Sequence, residues 1–215
     1  MDNEQLEEGL ELNLQYAKRG GLVPTVVQDY YTREVSVLGY ADQDALNETV
    51  RTGYASFCDK IRVIDILVDC DQDALIFMNV WPAETRYTNY LKKAMNIKYD
   101  DKGLVPSIAQ DYNTGDILML GYANQLAIDK TFEKELATFW STSRKELWTK
   151  GEKSGDKLKI SAVLANRDQG SVLYVVEMVG DGACHTKKEK EGIARRSCFY
   201  RRIMDGRLEF IEGMQ

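Results

Sequence analysis

A mainly β chain, β-rich α+β with only a few helices, is predicted by three features of the sequence. Residues 21–58 and 103–140 both start Gly-Leu-Val-Pro, and 17 of their 38 positions are identical at one constant offset. Each copy is a series of short apolar runs punctuated by turn residues, which is the pattern of strands. Helical spacing is confined to a short segment in each copy. The repeating unit, at about 100 residues, is longer than the 20–50 residues of solenoids and arrays. The chain therefore reads as an internal duplication.

Each element can be placed in order. In both copies an extended segment (22–28, 104–110) meets a turn, Tyr30-Tyr31-Thr32-Arg33 in the first and Tyr112-Asn113-Thr114-Gly115 in the second. A second strand (34–39, 116–121) completes a hairpin. A short helix follows, with Asp42 or Asn124 as its N-cap. Later strands are read at 61–69 and 74–80, and at 157–165 and 171–179. Residues 82–102 are expected to form a helix and then a linker. The first 19 residues are expected to form an amphipathic helix carrying Leu6, Leu10 and Leu14. The domain reading is an N-terminal helical extension (1–20), a shortened first repeat (21–91), a linker (92–102) and a second repeat (103–215).

The 215 residues carry a net charge of −6 with a pI near 5.0. That opposes a sequence-independent nucleic-acid surface, which needs a basic field to displace counterions. There is no apolar run of about 18 residues to cross a membrane. The acidic N-terminus lacks the basic and apolar regions of a secretory signal, so the expectation is a cytoplasmic chain. Its four cysteines should then be buried or metal-bound rather than paired.

The copies diverge where chemistry would be expected. Asp69-Cys70-Asp71-Gln72-Asp73 of the first aligns with Asn166-Arg167-Asp168-Gln169-Gly170 of the second. Conversely, only the second has Cys184-His185-Thr186 and Arg195-Arg196-Ser197-Cys198. In extended chain Asp69, Asp71 and Asp73 would share one face and Cys70 the other. Three neighbouring carboxylates suit a hard cation such as Mg²⁺, or form a solvated acidic turn. Cys70, Cys184 and Cys198 could supply three thiolates and leave a fourth zinc position for water. Buried thiols or a redox-active Cys184–Cys198 pair are the alternatives. His185, the one histidine of the chain, is a candidate general base beside those ligands. The segment 148–155 is a glycine-punctuated polar loop able to hold phosphate, or simply a hairpin connection. Cys58, aligned with Trp140, reads as core.

Together these motifs resemble the phosphoribosyl-AMP cyclohydrolase family. The likeness lies in Gly103–Pro106, Phe139–Arg144, Trp148–Gly155, Asp69–Leu75, Ala183–Thr186 and Arg195–Tyr200. The resemblance implies two cyclohydrolase-like repeats forming an intramolecular pseudo-dimer, with a buckled, barrel-like mixed sheet in each half. The family is a homodimer with sites at its interface, so the chain would be a monomeric pseudo-dimer, with further association open. The resemblance also implies zinc on Cys70, Cys184 and Cys198 and magnesium on Asp69, Asp71 and Asp73. His185 would be catalytic, and Arg144, Trp148, Lys150, Ser154, Arg195 and Arg196 would bind a phosphorylated nucleotide. The implied reaction opens the adenine ring of 1-(5-phosphoribosyl)-AMP at N1–C6 by hydrolysis, in histidine biosynthesis. The mirror-image site would carry Arg167 and lack cysteine, so one site per chain is expected. This chain departs from the family pattern at Thr149, where the family has His. It also departs at Lys187, where the family has Gly, and in about seven extra residues between Cys184 and Cys198. The alternatives are a paralogue acting on another N1-modified purine nucleotide, and a non-catalytic zinc- or nucleotide-binding protein.

Overall fold

Apolar runs closed by turn residues fold as hairpins in both copies. The computed structural model describes residues 3–58, 61–80, 87–90, 96–188 and 191–214. It divides into two compact units, Met1–Thr85 with Lys188–Gly192 and Cys198–Gln215, and Arg86–Lys187 with Ile193–Ser197.

In the first unit a short helix, α1 (Asn3–Glu8), and one 3-10 turn (Tyr16–Arg19) precede β1 (Val23–Asp29). Next come β2 (Val35–Ala41), α2 (Gln43–Thr52), β3 (Val63–Val68) and β4 (Leu75–Asn79). The second unit holds β5 (Tyr87–Tyr90), β6 (Val105–Asp111), β7 (Ile117–Ala123), α3 (Gln125–Lys134) and β8 (Thr138–Ser141). It continues with β9 (Glu146–Thr149), β10 (Lys157–Asn166) and β11 (Val172–Val179). The last strands, β12 (Arg201–Met204) and β13 (Arg207–Phe210), belong to the first unit, whose sheet runs β13-β12-β3-β4-β1-β2. The second unit's main sheet runs β5-β10-β11-β6-β7, beside a β8–β9 ribbon.

The two units repeat one topology, β3-β4-β1-β2 against β10-β11-β6-β7, down to the details. β1 pairs parallel with β4 as β6 does with β11. The register of both hairpins slips at the same place, Val27/Gln28 and Ala109/Gln110. The helices are capped alike, Asp42 Oδ1 accepting from Ala45 N–H (2.7 Å) and Asn124 Oδ1 from Ala127 N–H (2.8 Å). A Cβ on Gly39 would lie 2.6 Å from the Phe57 ring, and one on Gly121 would lie 2.8 Å from Phe139. Glycine at these points lets an aromatic ring lie directly on the strand backbone. The first unit's core joins Leu14, Val23, Val27, Leu46, Val68, Leu75, Phe77 and Leu208, with Cys58 packed at its margin. β1 is buried along its whole length, as a strand flanked on both sides and covered on both faces must be.

Three expectations change. Both main sheets are open in the order of their described strands, so neither is a closed barrel. The helix expected within 82–102 is partly outside the described residues; inside them, Tyr87–Tyr90 is a strand paired antiparallel with β10. The sequence Tyr-Thr-Asn-Tyr, with two tyrosines and a threonine, favours a strand. The N-terminal helix stops at Glu8 rather than running through residue 19. Gly9 follows, and Gln72 and Arg201 take the carbonyls that a longer helix would need for itself: Leu6 O from both, and Gly9 O from Arg201. Residues 198–215 follow the second repeat in sequence and add β12 and β13 to the first unit's sheet.

Candidate active site

The aspartate segment is a tight turn between β3 and β4, not extended chain. Gln72 N–H donates to Asp69 O and Asp69 N–H to Ala74 O, both at 3.3 Å, and Gln72 turns the backbone at φ 55. Asp69 Oδ1 accepts from the N–H groups of Asp73 and Ala74, each at 2.9 Å. Folding back in this way gathers all three acids, rather than alternation along a strand. Their carboxylate oxygens lie within 4.8 Å of one another, and Asp69 is buried.

The electrostatics follow from that crowding. Burial, reinforced by Asp71 and Asp73, raises the Asp69 carboxyl well above the usual range. Asp73 is raised as well, by burial and then by Asp71. Burial acts on Asp71 in the same direction, but Lys18 overcomes it and holds that carboxyl below its ordinary value. Lys18 Nζ bridges Asp71 Oδ2 at 2.9 Å and Asp73 Oδ2 at 3.0 Å. Burial works to lower the ammonium, yet the two carboxylates raise it on balance. Both oxygen chemistry and spacing suit a hard divalent cation, and the Lys18 ammonium already stands there as a cation.

Gln72 and Arg201 hold this turn and the N-terminal segment together, and both are fully buried. Gln72 Oε1 accepts from Asn13 N–H at 2.7 Å, its Nε2 donates to Leu6 O and Glu11 O, and its carbonyl accepts from Gln15 N–H. Arg201 donates to Asp69 O (3.1 Å), Cys70 O (2.8 Å), Leu6 O (3.0 Å) and Gly9 O (2.8 Å). A guanidinium is suited to this, because its donors fan out in a rigid plane. β12 is antiparallel to β3, with Arg201 opposite Val68. That register brings the chain ahead of Arg201, Cys198 included, to the sheet end where the aspartate turn begins.

The second unit has the same turn with other chemistry. Asn166 Oδ1 accepts from Gly170 N–H (2.8 Å) and Ser171 N–H (3.1 Å), and Gln169 adopts φ 61. Arg167 and Gly170 stand where the first unit has Cys70 and Asp73.

Cys184 and His185 lie on a paired base: Cys184 N–H donates to Arg195 O, Ala183 N–H to Arg196 O, and Arg195 N–H to Thr186 O, each at 3.0 Å. Lys187 and Ala194 form an isolated antiparallel bridge. Gly182 lets the strands approach, since a Cβ there would lie 2.3 Å from Arg195 O. Cys184 Sγ is 3.0 Å from Thr186 Oγ1 and buried, whereas His185 is exposed. Cys70 and Cys198 are buried in the first unit. All four cysteines are free, and the thiolates of Cys70, Cys184 and Cys198 are a donor chemistry that fits zinc.

The nucleotide-binding candidates fare unequally. Arg196 is held by Asp111 (2.9 Å), Asp116 (3.4 Å) and Thr114 (3.0 Å), which braces the β6–β7 turn. Arg195 and Lys150 are buried. Arg144 pairs with Glu146 at 2.7 Å and is well exposed. Trp148 packs against Phe139, and Ser154 Oγ accepts from Asp156 N–H. Thr149 is buried, with Oγ1 3.1 Å from both Lys134 Nζ and Thr138 Oγ1. Lys18, Gln72, Arg201 and Lys134 were not anticipated from sequence. The one available signal was Lys18-Arg19, the sole basic residues in an otherwise acidic first 20.

Residues 119–200 match the family model for phosphoribosyl-AMP cyclohydrolase. A phosphoribosyl-AMP cyclohydrolase of Desulfotalea psychrophila is 42% identical over 119 residues, covering 55% of this chain and 87% of that protein. One from Methanospirillum hungatei is 47% identical over 109 residues, covering 51% and 77%. The histidine biosynthesis bifunctional protein HisIE of Aquifex aeolicus is 43% identical over 115 residues, 54% of this chain and 53% of that protein. With 87% and 77% of two phosphoribosyl-AMP cyclohydrolases matched at this identity, the chain belongs to the phosphoribosyl-AMP cyclohydrolase family of enzymes.

Proposed function

We propose that the chain opens the adenine ring of 1-(5-phosphoribosyl)-AMP at N1–C6 by hydrolysis, as a cytoplasmic enzyme of histidine biosynthesis. We further propose that it is a tandem duplication acting as a pseudo-dimer with one composite site. The observation that carries the second reading is a pair of turns alike in backbone but unlike in chemistry, taken together with Cys184 and His185, which only the second repeat has. Asp69–Asp73 keeps acids and a cysteine, while Asn166–Gly170 keeps one acid and has arginine in the cysteine's place. Decay of both sites would not leave each half holding the groups that the other lacks.

On this reading Cys70, Cys184 and Cys198 would hold zinc, and Asp69, Asp71 and Asp73 would hold magnesium. Zinc, when bound, supplies Lewis acidity toward water and the ring. His185, exposed beside Cys184, moves the proton between water and the ring nitrogen. Substitution at N1 makes C6 electron-poor, so the substrate itself assists attack. Arg144, Lys150, Ser154 and Arg195 remain the candidates for its two phosphates, with Trp148 against the nucleotide. Arg196, tied to Asp111 and Asp116, would act by fixing the loop. Thr149, which accepts from Lys134 Nζ, stands where the family has histidine, so His185 is the histidine left to transfer a proton.

Incubating the zinc- and magnesium-loaded protein with phosphoribosyl-AMP should give the ring-opened carboxamide, followed by its ultraviolet absorbance. Absence of turnover in protein with full zinc would sink the assignment and favour a binding role.

A further inference from the structure

We propose that Lys18 is a resident cation of the aspartate turn, competing with a divalent metal for Asp71 and Asp73 and thereby weakening metal binding there. The inference rests on reading those aspartates as metal ligands.

Three observations lead to it. The Lys18 ammonium bridges two of the three carboxylates at 2.9 and 3.0 Å, using oxygens that a small divalent ion would need. The bridge is also aimed by the fold. Residues 6–15 are fastened to the same turn through four hydrogen bonds of buried Gln72, and Leu6 and Gly9 are fastened again through Arg201. A lysine delivered by a strap fixed this way gives up less freedom on pairing than one on a loose surface chain. Finally, the second unit lacks the partners together. Where Lys18 precedes Gly21, Asp100 stands at the same distance ahead of Gly103, and Gly170 replaces Asp73. Asp100 there caps its own loop, accepting from the N–H groups of Lys102 and Leu104.

A divalent ion entering the turn must therefore expel the ammonium, whereas a charge-neutral side chain at position 18 would leave the oxygens open. The test is a titration of the full, zinc-loaded chain with Mn²⁺, followed by the loss of its free-ion paramagnetic resonance signal. Lys18→Met should bind Mn²⁺ at least about tenfold tighter than the unaltered chain, about 1.4 kcal/mol. Lys18→Arg, which keeps the charge, should stay near the unaltered value, and adding Asp71→Asn to Lys18→Met should abolish the gain. Lys18→Gln gives the same readout if methionine disturbs the strap. Equal affinity in Lys18→Met and the unaltered chain, including no binding by either, would overturn the proposal. So would Lys18→Arg binding as tightly as Lys18→Met. The titration uses no substrate, so an inactive protein that shows the gain refutes the assigned reaction while upholding the role of Lys18.

Discussion

The turns Asp69–Ala74 and Asn166–Ser171 share a backbone and differ in nearly everything that does chemistry. In each, the first side chain accepts two N–H groups and the fourth residue, Gln72 or Gln169, takes the left-handed conformation. An amide oxygen serves that structural purpose as well as a carboxylate. What the amide cannot do is carry charge, so the second turn needs neither a cation nor a lysine beside it. The comparison separates what the fold requires of this turn from what a metal site would require.

The largest expected effect breaks the comparison at its chemical end. Cys70→Ser should lower turnover at least about 100-fold, since altering even the partners of metal ligands costs 10–100-fold. Arg167→Ser, at the matching position, should leave the rate within about twofold. Equal losses in the two variants would show that the turns are not functionally distinct.

A smaller effect tests the structural end. Asn166→Ala removes the acceptor of two N–H groups and should destabilise the protein by about 0.5–1.5 kcal/mol in urea, with turnover of the folded fraction unchanged. Asn166→Asp should keep the cap and restore most of that stability. If Asn166→Ala is as stable as the parent, the side chain does not hold the turn.

Much of this was legible in sequence. The repeated sequence marked the hairpins, and Asp42 and Asn124 announced both helix starts, because capping and alternation are local rules. The aspartates were identified but their geometry was not. Alternation predicted a shared face, whereas the turn depends on Gln72 entering a left-handed conformation, which carries no strong signal in a glutamine. Lys18 and Arg201 were missed because they act on residues far away in the chain. The return of β12 to the first unit's sheet was hidden for the same reason, as was the strand at Tyr87–Tyr90, whose partner β10 lies in the second repeat.

The smallest effect sharpens a difference in the cores. Phe77 in β4 is matched by Tyr174 in β11, each two residues past the strand's first parallel partner. Burial pushes the Tyr174 phenol up to about 12. A raised value means that its contribution is complete below pH 10 and is lost as pH rises toward 12. Stability should therefore fall across that window by at most about 1.4 kcal/mol per pH unit from this group. Tyr174→Phe should flatten that slope while changing stability at pH 7 by less than about 1 kcal/mol. An unchanged slope would mean that the phenol is not the group titrating.

If the two halves keep a single composite site, zinc content per chain reports it. One zinc is expected in the unaltered protein, lost in both Cys70→Ser and Cys184→Ser although these cysteines belong to different units, and retained in Arg167→Ser. Two zinc ions per chain, or full occupancy after Cys70→Ser, would contradict it.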